Sequence, residues 1–544
     1  MVRKSALLAS TVLAGLAIHQ TALAQPARSL EDRVRALEQL LGQSPNAGDN
    51  RSLEARVEVL EGLIQQRAAE DDARAERLST VEAELAQKKA DDEAEAQRLM
   101  ALETQLEQKA EDELTIRTRL ATLEQSSADA SWIYDFNRAT IRTADNRFQM
   151  AFRGRFQFDS GMFFQDSDLP SNVTVGRDLH NGANFRRAQI GVEGRVYRDF
   201  NYEFVFDFGS SGTERAGQIY LLRVAYTGIP YFTINAGAIQ PKFTMDDSTS
   251  SAEITFLERA SIINTVLDPF GGSDSRRGVE LIYQRADLFR GGDNLLISTA
   301  FTGERIAAVK TDDEGSQLTG RVAYRFHSDE RSNYQIGFDV ARILNKPNGL
   351  LSFSDRPETR VDGQQLIGFG TGGLAAAVPA KTGWLYAVEG AMNIGSFYLG
   401  GEYYRYGLDR TDAAVKDPEF SGWYLQASYF LTGEMRPYLP ASAAFGSPAV
   451  VSPFALDSGS WGAWEIKARY SNNTLDAFAG DSLTGNRVLG GEQTIVTIGA
   501  NWYLNRNLRW MFDYLIADVD RRDNQGQQVG QDFSAFVNRL QFSF

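Results

Sequence analysis

Alternation is the feature that most constrains this chain. From Trp132 onward, segment after segment places apolar and polar side chains on opposite faces, the period of a β-strand. Phe148, Met150, Phe152, Phe156, Phe158 and Met162 share one face, and Gln149, Arg153, Arg155, Gln157 and Asp159 share the other. A second strand is expected at 185–197. Tyr202-Phe204-Phe206-Phe208, Val496-Ile498-Ala500-Trp502-Leu504 and Leu508-Trp510-Phe512-Tyr514-Ile516 repeat the pattern, with Asp207, Thr497, Asn501, Arg509 and Asp513 opposite. The polar face carries arginine, aspartate, asparagine or glutamine in nearly every strand. A soluble sandwich or propeller would have to bury one face and wet the other, and a core does not tolerate so many charges. A wall with hydrocarbon on one side and a wet lumen on the other accommodates both.

The last such run is Leu540-Gln541-Phe542-Ser543-Phe544, and its terminal aromatic is similar to the C-terminal signature of outer-membrane β-barrels. The segments number about 16 or 17, each roughly ten residues long, the length a tilted strand needs to cross a bilayer, and bacterial barrels have even strand numbers. The expected fold is an all-β transmembrane barrel of about 16 antiparallel strands. Tight turns fall near 199–201 and 505–507. Long Gly/Asp/Ser/Pro-rich stretches at 165–184, 242–276, 343–357 and 433–458 are expected as outer loops, opposite the short turns. Trp502, Tyr503, Tyr403, Tyr404, Tyr424 and Tyr429 are expected to form an interfacial girdle.

Residues 1–24 read as a secretory signal. Arg3 and Lys4 precede an apolar stretch from Ala6 to Ile18, and Ala22-Leu23-Ala24 suits cleavage before Gln25. The stretch is too short to span a bilayer, and no later one reaches the about 18 apolar residues a spanning helix needs. There is no cysteine, which excludes disulfides, thiol catalysis and cysteine metal sites.

Residues 28–125 contain no aromatic residue. Here a unit recurs every 21 residues: Arg56-Val57-x-x-Leu60-Glu61, Arg77-Leu78-x-x-Val81-Glu82, Arg98-Leu99-x-x-Leu102-Glu103 and Arg119-Leu120-x-x-Leu123-Glu124. Three heptads fit that period, with Val57, Leu78, Leu99 and Leu120 on one core phase and Leu60, Val81, Leu102 and Leu123 on the other. Lys88, Asp92, Glu95, Lys109 and Glu113 occupy core phases between the apolar patches, so the seam should be weak. An earlier copy, Leu30, Val34, Leu37 and Leu41, precedes a breaker at 42–48. The reading is a short helix, a hinge near 42–50 and a long helix from about Ser52 to Gln125. Residues 25–130 are therefore expected as a periplasmic coiled-coil segment, and 131–544 as the barrel.

The net charge of −15 argues against a nucleic-acid partner. Residues 25–130 hold 24 acids and 14 bases, a net of −10; the signal carries +2; residues 131–544 hold 47 acids and 40 bases, a net of −7. Most of the acidic excess lies outside the barrel.

Ordered strings across 140–544 resemble the phosphate-selective porin O/P family. They include Gly154-Arg155-Phe156-Gln157, Phe185-Arg186-Arg187-Ala188, Val192-Glu193-Gly194, Thr249-Ser250-Ser251 with Phe256-Leu257-Glu258-Arg259, Gly422-Trp423-Tyr424-Leu425-Gln426, Gly462-Ala463-Trp464-Glu465 and Gly499-Ala500-Asn501-Trp502-Tyr503. The coiled-coil segment falls outside the match. The resemblance implies a homotrimeric porin in the outer membrane of a Gram-negative bacterium, surrounded by outer-membrane lipid and passing small anionic solutes. It implies that the third long loop, 242–276, folds into the channel. It assigns Arg155, Arg186, Arg187 and Arg259 to an anion-binding constriction, with Asp207 as a strand acid beside them. By the alternation, Arg155 and Asp207 point into the lumen. On the inward loop, phosphate-selective members carry lysines where this chain reads Met245 to Glu253, with Asp246, Asp247 and Glu253 and no lysine after Lys242. The arginine-rich entry strand is reduced to Arg356 and Arg360. Glu258-Arg259, and Asp207 with a nearby arginine, are alternatively ion pairs bracing the loop against the wall.

A tether from the membrane to the cell wall, through the coiled coil, is a second reading. An enzyme is not expected. After the signal only His180 and His327 remain, and neither a Gly-x-Ser-x-Gly elbow nor a His-Glu-x-x-His motif occurs. The Asp312-Asp313-Glu314-Gly315 cluster lacks the spaced ligands of a calcium loop. No cofactor or metal is expected.

Overall fold

The computed structural model describes residues 31–32, 34–35, 37, 52–126, 131–135, 138–165, 178–209, 217–273, 275–306, 308, 312–370, 374–523 and 525–544. The signal at 1–24 and the hinge at 42–50 lie outside the described residues, as do Leu30 and Leu41.

Two compact units result, residues 1–123 and 124–544. The first contains α1 (Leu53–Ser126), a helix of 74 residues. At its start Val57 and Leu60 are buried against Val34, with Leu37 and Leu53 packed alongside, so the short first segment lies against α1. Further on the seam is open: Leu78, Val81, Leu99 and Leu102 are each more than half exposed. The helix is as expected; among the described residues no second helix runs along the rest of its seam.

The second unit is a closed barrel of sixteen antiparallel strands. In chain order they are β1 (Gln149–Gln165), β2 (Gly182–Val196), β3 (Phe200–Asp207), β4 (Gln218–Tyr226), β5 (Phe232–Ile239), β6 (Arg276–Ala286), β7 (Asn294–Arg305) and β8 (Ser316–Ser328). They continue as β9 (Ser332–Asn345), β10 (Val378–Ile394), β11 (Phe397–Arg410), β12 (Glu419–Phe430), β13 (Ala463–Ala477), β14 (Val488–Tyr503), β15 (Leu508–Asp520) and β16 (Phe533–Ser543). Each strand pairs with its chain neighbours, and β16 closes on β1 from Ser543↔Arg155 to Phe533↔Gln165. Closure leaves no unpaired edge, which the bilayer requires. The terminal residue completes the seam: Phe544 N donates to Gly154 O at 3.0 Å, and Gly154 N to Phe544 O at 3.1 Å. The Phe544 ring lies over Gly154, where a Cβ would collide with it.

The strands obey the alternation. On β1, Phe152, Phe158, Met162 and Phe164 face outward, while Arg155, Gln157 and Asp159 are buried inside. The girdle expectation needs correction. Tyr403, Tyr429 and Trp502 face outward, but Tyr404, Tyr424 and Tyr503 are buried inside, one residue out of phase. Their hydroxyls bond lumen carboxylates: Tyr404 and Tyr424 donate to Glu402 Oε2, each at 2.9 Å, and Tyr503 to Glu465 Oε2 at 2.8 Å.

Three connections are long: 240–275, 346–377 and 431–462. The first two join strands at the end opposite the tight turns at 197–199, 395–396 and 504–507. The third does not. Strand order places 431–462 at the same end as those turns, so the expectation of 433–458 as an outer loop is overturned. All three send residues into the barrel. The first carries α2 (Met245–Ser248) and α3 (Ser261–Leu267). Phe270 of the first segment, Phe353 and Phe369 of the second, and Tyr406 and Phe420 of the wall pack at centroid distances of 5.4 to 5.9 Å. With Ile262, Ile263 and Val266, all fully buried, this apolar plug fills one side of the lumen. The open space that remains lies toward the first seven strands.

Candidate functional site

The inward segment is held by the wall's own charges. On β13 to β16 the lumen-facing cations donate to its backbone carbonyls in sequence. Arg509 reaches Ile254 O at 3.1 Å, Lys467 reaches Thr255 O at 2.9 Å, Arg539 reaches Leu257 O, and Arg469 reaches Glu258 O at 2.9 Å. Gln157 and Gln541 take Ser251 O and Ala252 O. A loop buried inside a barrel leaves carbonyls away from water, and these long side chains satisfy them. Their charges are spent too: Lys467 on Asp513, Arg469 on Glu358, and Arg539 on Asp159 and Glu258.

The opposite wall faces the open path. A narrow cavity of about 130 Å³ is lined by Arg186, Arg187, Arg259, Arg305 and Arg360, with Asp207, Asp247, Glu258 and Asp268. Arg186, Arg187, Arg259, Asp207, Asp247 and Glu258 are thus brought together. Arg155 and Glu253 lie instead in a wider basin of about 510 Å³, with Arg153, Glu193, Arg506 and Phe544. Asp246 belongs to neither space. The residues therefore do not form one ring; the inward segment divides them.

Most of these charges are neutralised locally. Arg186 Nε lies 2.8 Å from Glu258 Oε1, and Arg539 and Arg360 approach the same carboxylate. Burial would raise the Glu258 pKa, but Arg186, Arg539, Arg187 and Arg360 outweigh it and hold the carboxyl well below its ordinary range. Arg259 donates to Asp246 Oδ1 at 2.5 Å and to the carbonyls of Asp246 and Thr249, tying α2 to the chain that follows it. Asp247 accepts from Gln240 Nε2 and Ser273 N. Asp207 accepts Ala188 N, Gly209 N and Gln189 Nε2, and no arginine. Its expected partner is replaced by strand backbone. Glu258 is thus paired with wall arginines, as the bracing alternative has it, whereas Arg259 pairs with Asp246 inside the inward segment and not with the wall.

Two expected cations differ. Arg155 donates only to hydroxyls, Ser251 Oγ at 2.6 Å and Ser250 Oγ at 2.9 Å, and its buried Nε has no acceptor. Arg187 donates to Gln157 Oε1 at 2.8 Å. Neither makes an ion pair among the described residues. They stand on adjacent strands, one on each side of Ser250-Ser251, joining cavity to basin. Glu253, in the basin, has its pKa raised by burial, with Arg155 opposing the shift.

Arg305 is a constriction residue the sequence did not single out. It lies on Asp268 at 2.8 Å and on Ser273 Oγ at 2.6 Å. Alternation marks it only as a polar residue at a strand end. Arg360, expected from an entry strand, sits in the second long segment beside Glu258 and Asp355.

The sequence matches the family Phosphate-selective porin O and P over residues 151–544. Porin O of Pseudomonas aeruginosa is 28% identical over 415 residues, covering 74% of this chain and 90% of that protein. An uncharacterized protein of Caulobacter vibrioides is 25% identical over 369 residues, 67% of this chain and 68% of its own. Among solved structures, an anion-selective porin from Comamonas acidovorans is 12% identical with a TM-score of 0.43, covering 73% of this chain and 100% of that one. The outer membrane channel DcaP of Acinetobacter baumannii is 11% identical with a TM-score of 0.39, covering 73% and 97%. A closed sixteen-strand barrel with a charged, loop-narrowed lumen and a family match over 151–544 make this chain an outer-membrane porin belonging to the phosphate-selective porin O and P family.

Proposed function

We propose that the chain forms a homotrimeric channel for passive diffusion of small anions, phosphate among them. The observation that carries this is the pair Arg155 and Arg187, two lumen cations that make no ion pair among the described residues, one lining the basin and one the cavity. A guanidinium whose charge is not cancelled attracts anions and can offer paired N–H donors to phosphate or carboxylate oxygens. The cavity fixes the size limit, and no bond is made or broken. Arg186, Arg259 and Arg305 contribute shape and dipoles more than net field, because each already has a carboxylate within 2.9 Å.

The test is the reversal potential of purified protein in a planar bilayer under a salt gradient, followed by phosphate titration. Anion preference with block by phosphate supports the reading. Cation preference without block would mean that Asp246, Asp247 and Glu253 set the field, and would overturn it.

A second role rests on α1. Its exposed Leu78, Val81, Leu99 and Leu102 repeat at coiled-coil spacing, and two further copies in a trimer would cover them. Residues 25–130 then form a periplasmic rod after removal of 1–24, with cell-wall contact as its reach. Sedimentation of the isolated 25–130 segment, with circular dichroism, tests it; a monomer at high concentration would remove the rod.

A further inference from the structure

Behind the base of the inward segment, away from the anion path, three carboxylates converge on neighbouring strands. Glu389 on β10 and Glu402 on β11 are directly opposite in register, and both are buried on the lumen face. Like charges directly opposite destabilise a sheet. Asp339 on β9 is fully buried beside them. One oxygen from each of the three lies within 4.8 Å of the others.

The two side chains that serve this cluster have no donor to spare for Asp339. Arg321 spends all five N–H groups: two on Glu389 and one each on Ser248 Oγ, Ser442 O and Ala443 O. Gln335 Nε2 spends both of its donors on Glu389 Oε1 and Ala443 O. Neither Asp339 oxygen makes a hydrogen bond of ordinary geometry, although the Thr244 backbone N–H faces this carboxylate, and the buried Gln335 Oε1 on the same face of β9 has no partner. Arg321 Nε comes no nearer to Asp339 than 3.8 Å. If all three carboxylates ionise, one guanidinium cannot cancel them, and two negative charges remain.

We propose that Asp339, Glu389 and Glu402 form a binding site for a divalent cation of the calcium class. The donor set is all oxygen, with no histidine or cysteine, which suits a hard ion rather than zinc. Metal–oxygen distances of about 2.3–2.6 Å put opposite ligands roughly 5 Å apart, matching the observed spread. A single proton could satisfy one orphaned oxygen; a divalent ion satisfies several and cancels the residual charge. Glu402 Oε1 also accepts Met245 N at 2.7 Å, and Arg321 holds Ser248 of the inward segment and two carbonyls of 431–462. The ion would pin both inserted segments to the wall at one point.

The experiment uses full-length protein purified in detergent, titrated with terbium and excited through tyrosine. Tyr404 and Tyr424 bond Glu402 directly, and residues 28–125 contain no aromatic, so acids along that segment give no sensitised emission. The expected result is emission saturating at about one ion per chain, displaced by calcium and reduced at least roughly tenfold in Asp339→Asn. The thermal midpoint should fall on chelation in the wild type and stay unchanged in the variant. If Asp339→Asn does not fold, Gln335→Met serves as the second variant and should weaken calcium displacement. No saturable emission, emission unchanged in the variants, or a midpoint that responds to pH but not to calcium would overturn the site in favour of shared protons.

Discussion

Arg187 and Arg539 both face the lumen, but their surroundings give them opposite roles. Arg187 has a glutamine partner and makes no ion pair among the described residues, with Glu258 acting on it only at longer range; Arg539 is fully buried between Asp159 and Glu258. Arg187→Gln should leave folding intact and weaken phosphate block by about tenfold, or about 1.4 kcal/mol, measured from conductance at increasing phosphate. Arg155→Gln should act in the same direction, and the double variant should lose anion preference in the reversal potential. Arg539→Met should act on stability instead. It strands the buried Asp159 and removes one of the cations on Glu258, at a cost of about 3–5 kcal/mol, read as a lower heat or denaturant midpoint of the folded barrel. A conductance change at unchanged stability would contradict this division.

At the scale of elements, the inward segment is a strap fastened by wall cations, and the second long segment is a wedge behind it. Asp355 in that wedge is buried, and burial pushes its carboxyl up to about 7 despite Arg360. Its folded pKa lies above its unfolded value of 3.8, so the folded state binds the proton more tightly. Stability from this group is present at low pH and is lost as pH rises toward and past 7. Asp355→Asn should flatten the fall in thermal midpoint between pH 5 and pH 8 relative to the wild type, and an unchanged slope would show that other groups control it. The wedge also shows where sequence reading stops. Strands and tight turns were legible because each is a local pattern. That 346–377 and 431–462 return into the lumen was not, because their buried partners, Glu358 with Arg469 and Arg436 with Glu465, lie far apart in the chain.

At the scale of the whole molecule, the barrel closes on itself, β16 against β1, with Phe544 completing the seam. Deleting residues 25–126 should therefore leave single-channel conductance unchanged in planar bilayers, while Gly154→Leu, which displaces the Phe544 ring, should lower assembled yield.

The sequence by itself determined the class of fold. Alternation with a charged inner face admits little else, and the strand count, the long helix and the lumen-facing side of Arg155 and Asp207 followed from period alone. Its ordered motifs also brought forward Arg186, Arg187 and Arg259, which line one cavity, and Arg155, which lines another. Only the tertiary structure decided which charges are free. Arg155 and Arg187 make no ion pair among the described residues, whereas Arg186, Arg259, Lys467, Arg469 and Arg539 each have a carboxylate in direct contact. The physical reason is that a side chain's field depends on what lies within a few ångströms of it, while strand periodicity records only which face it occupies.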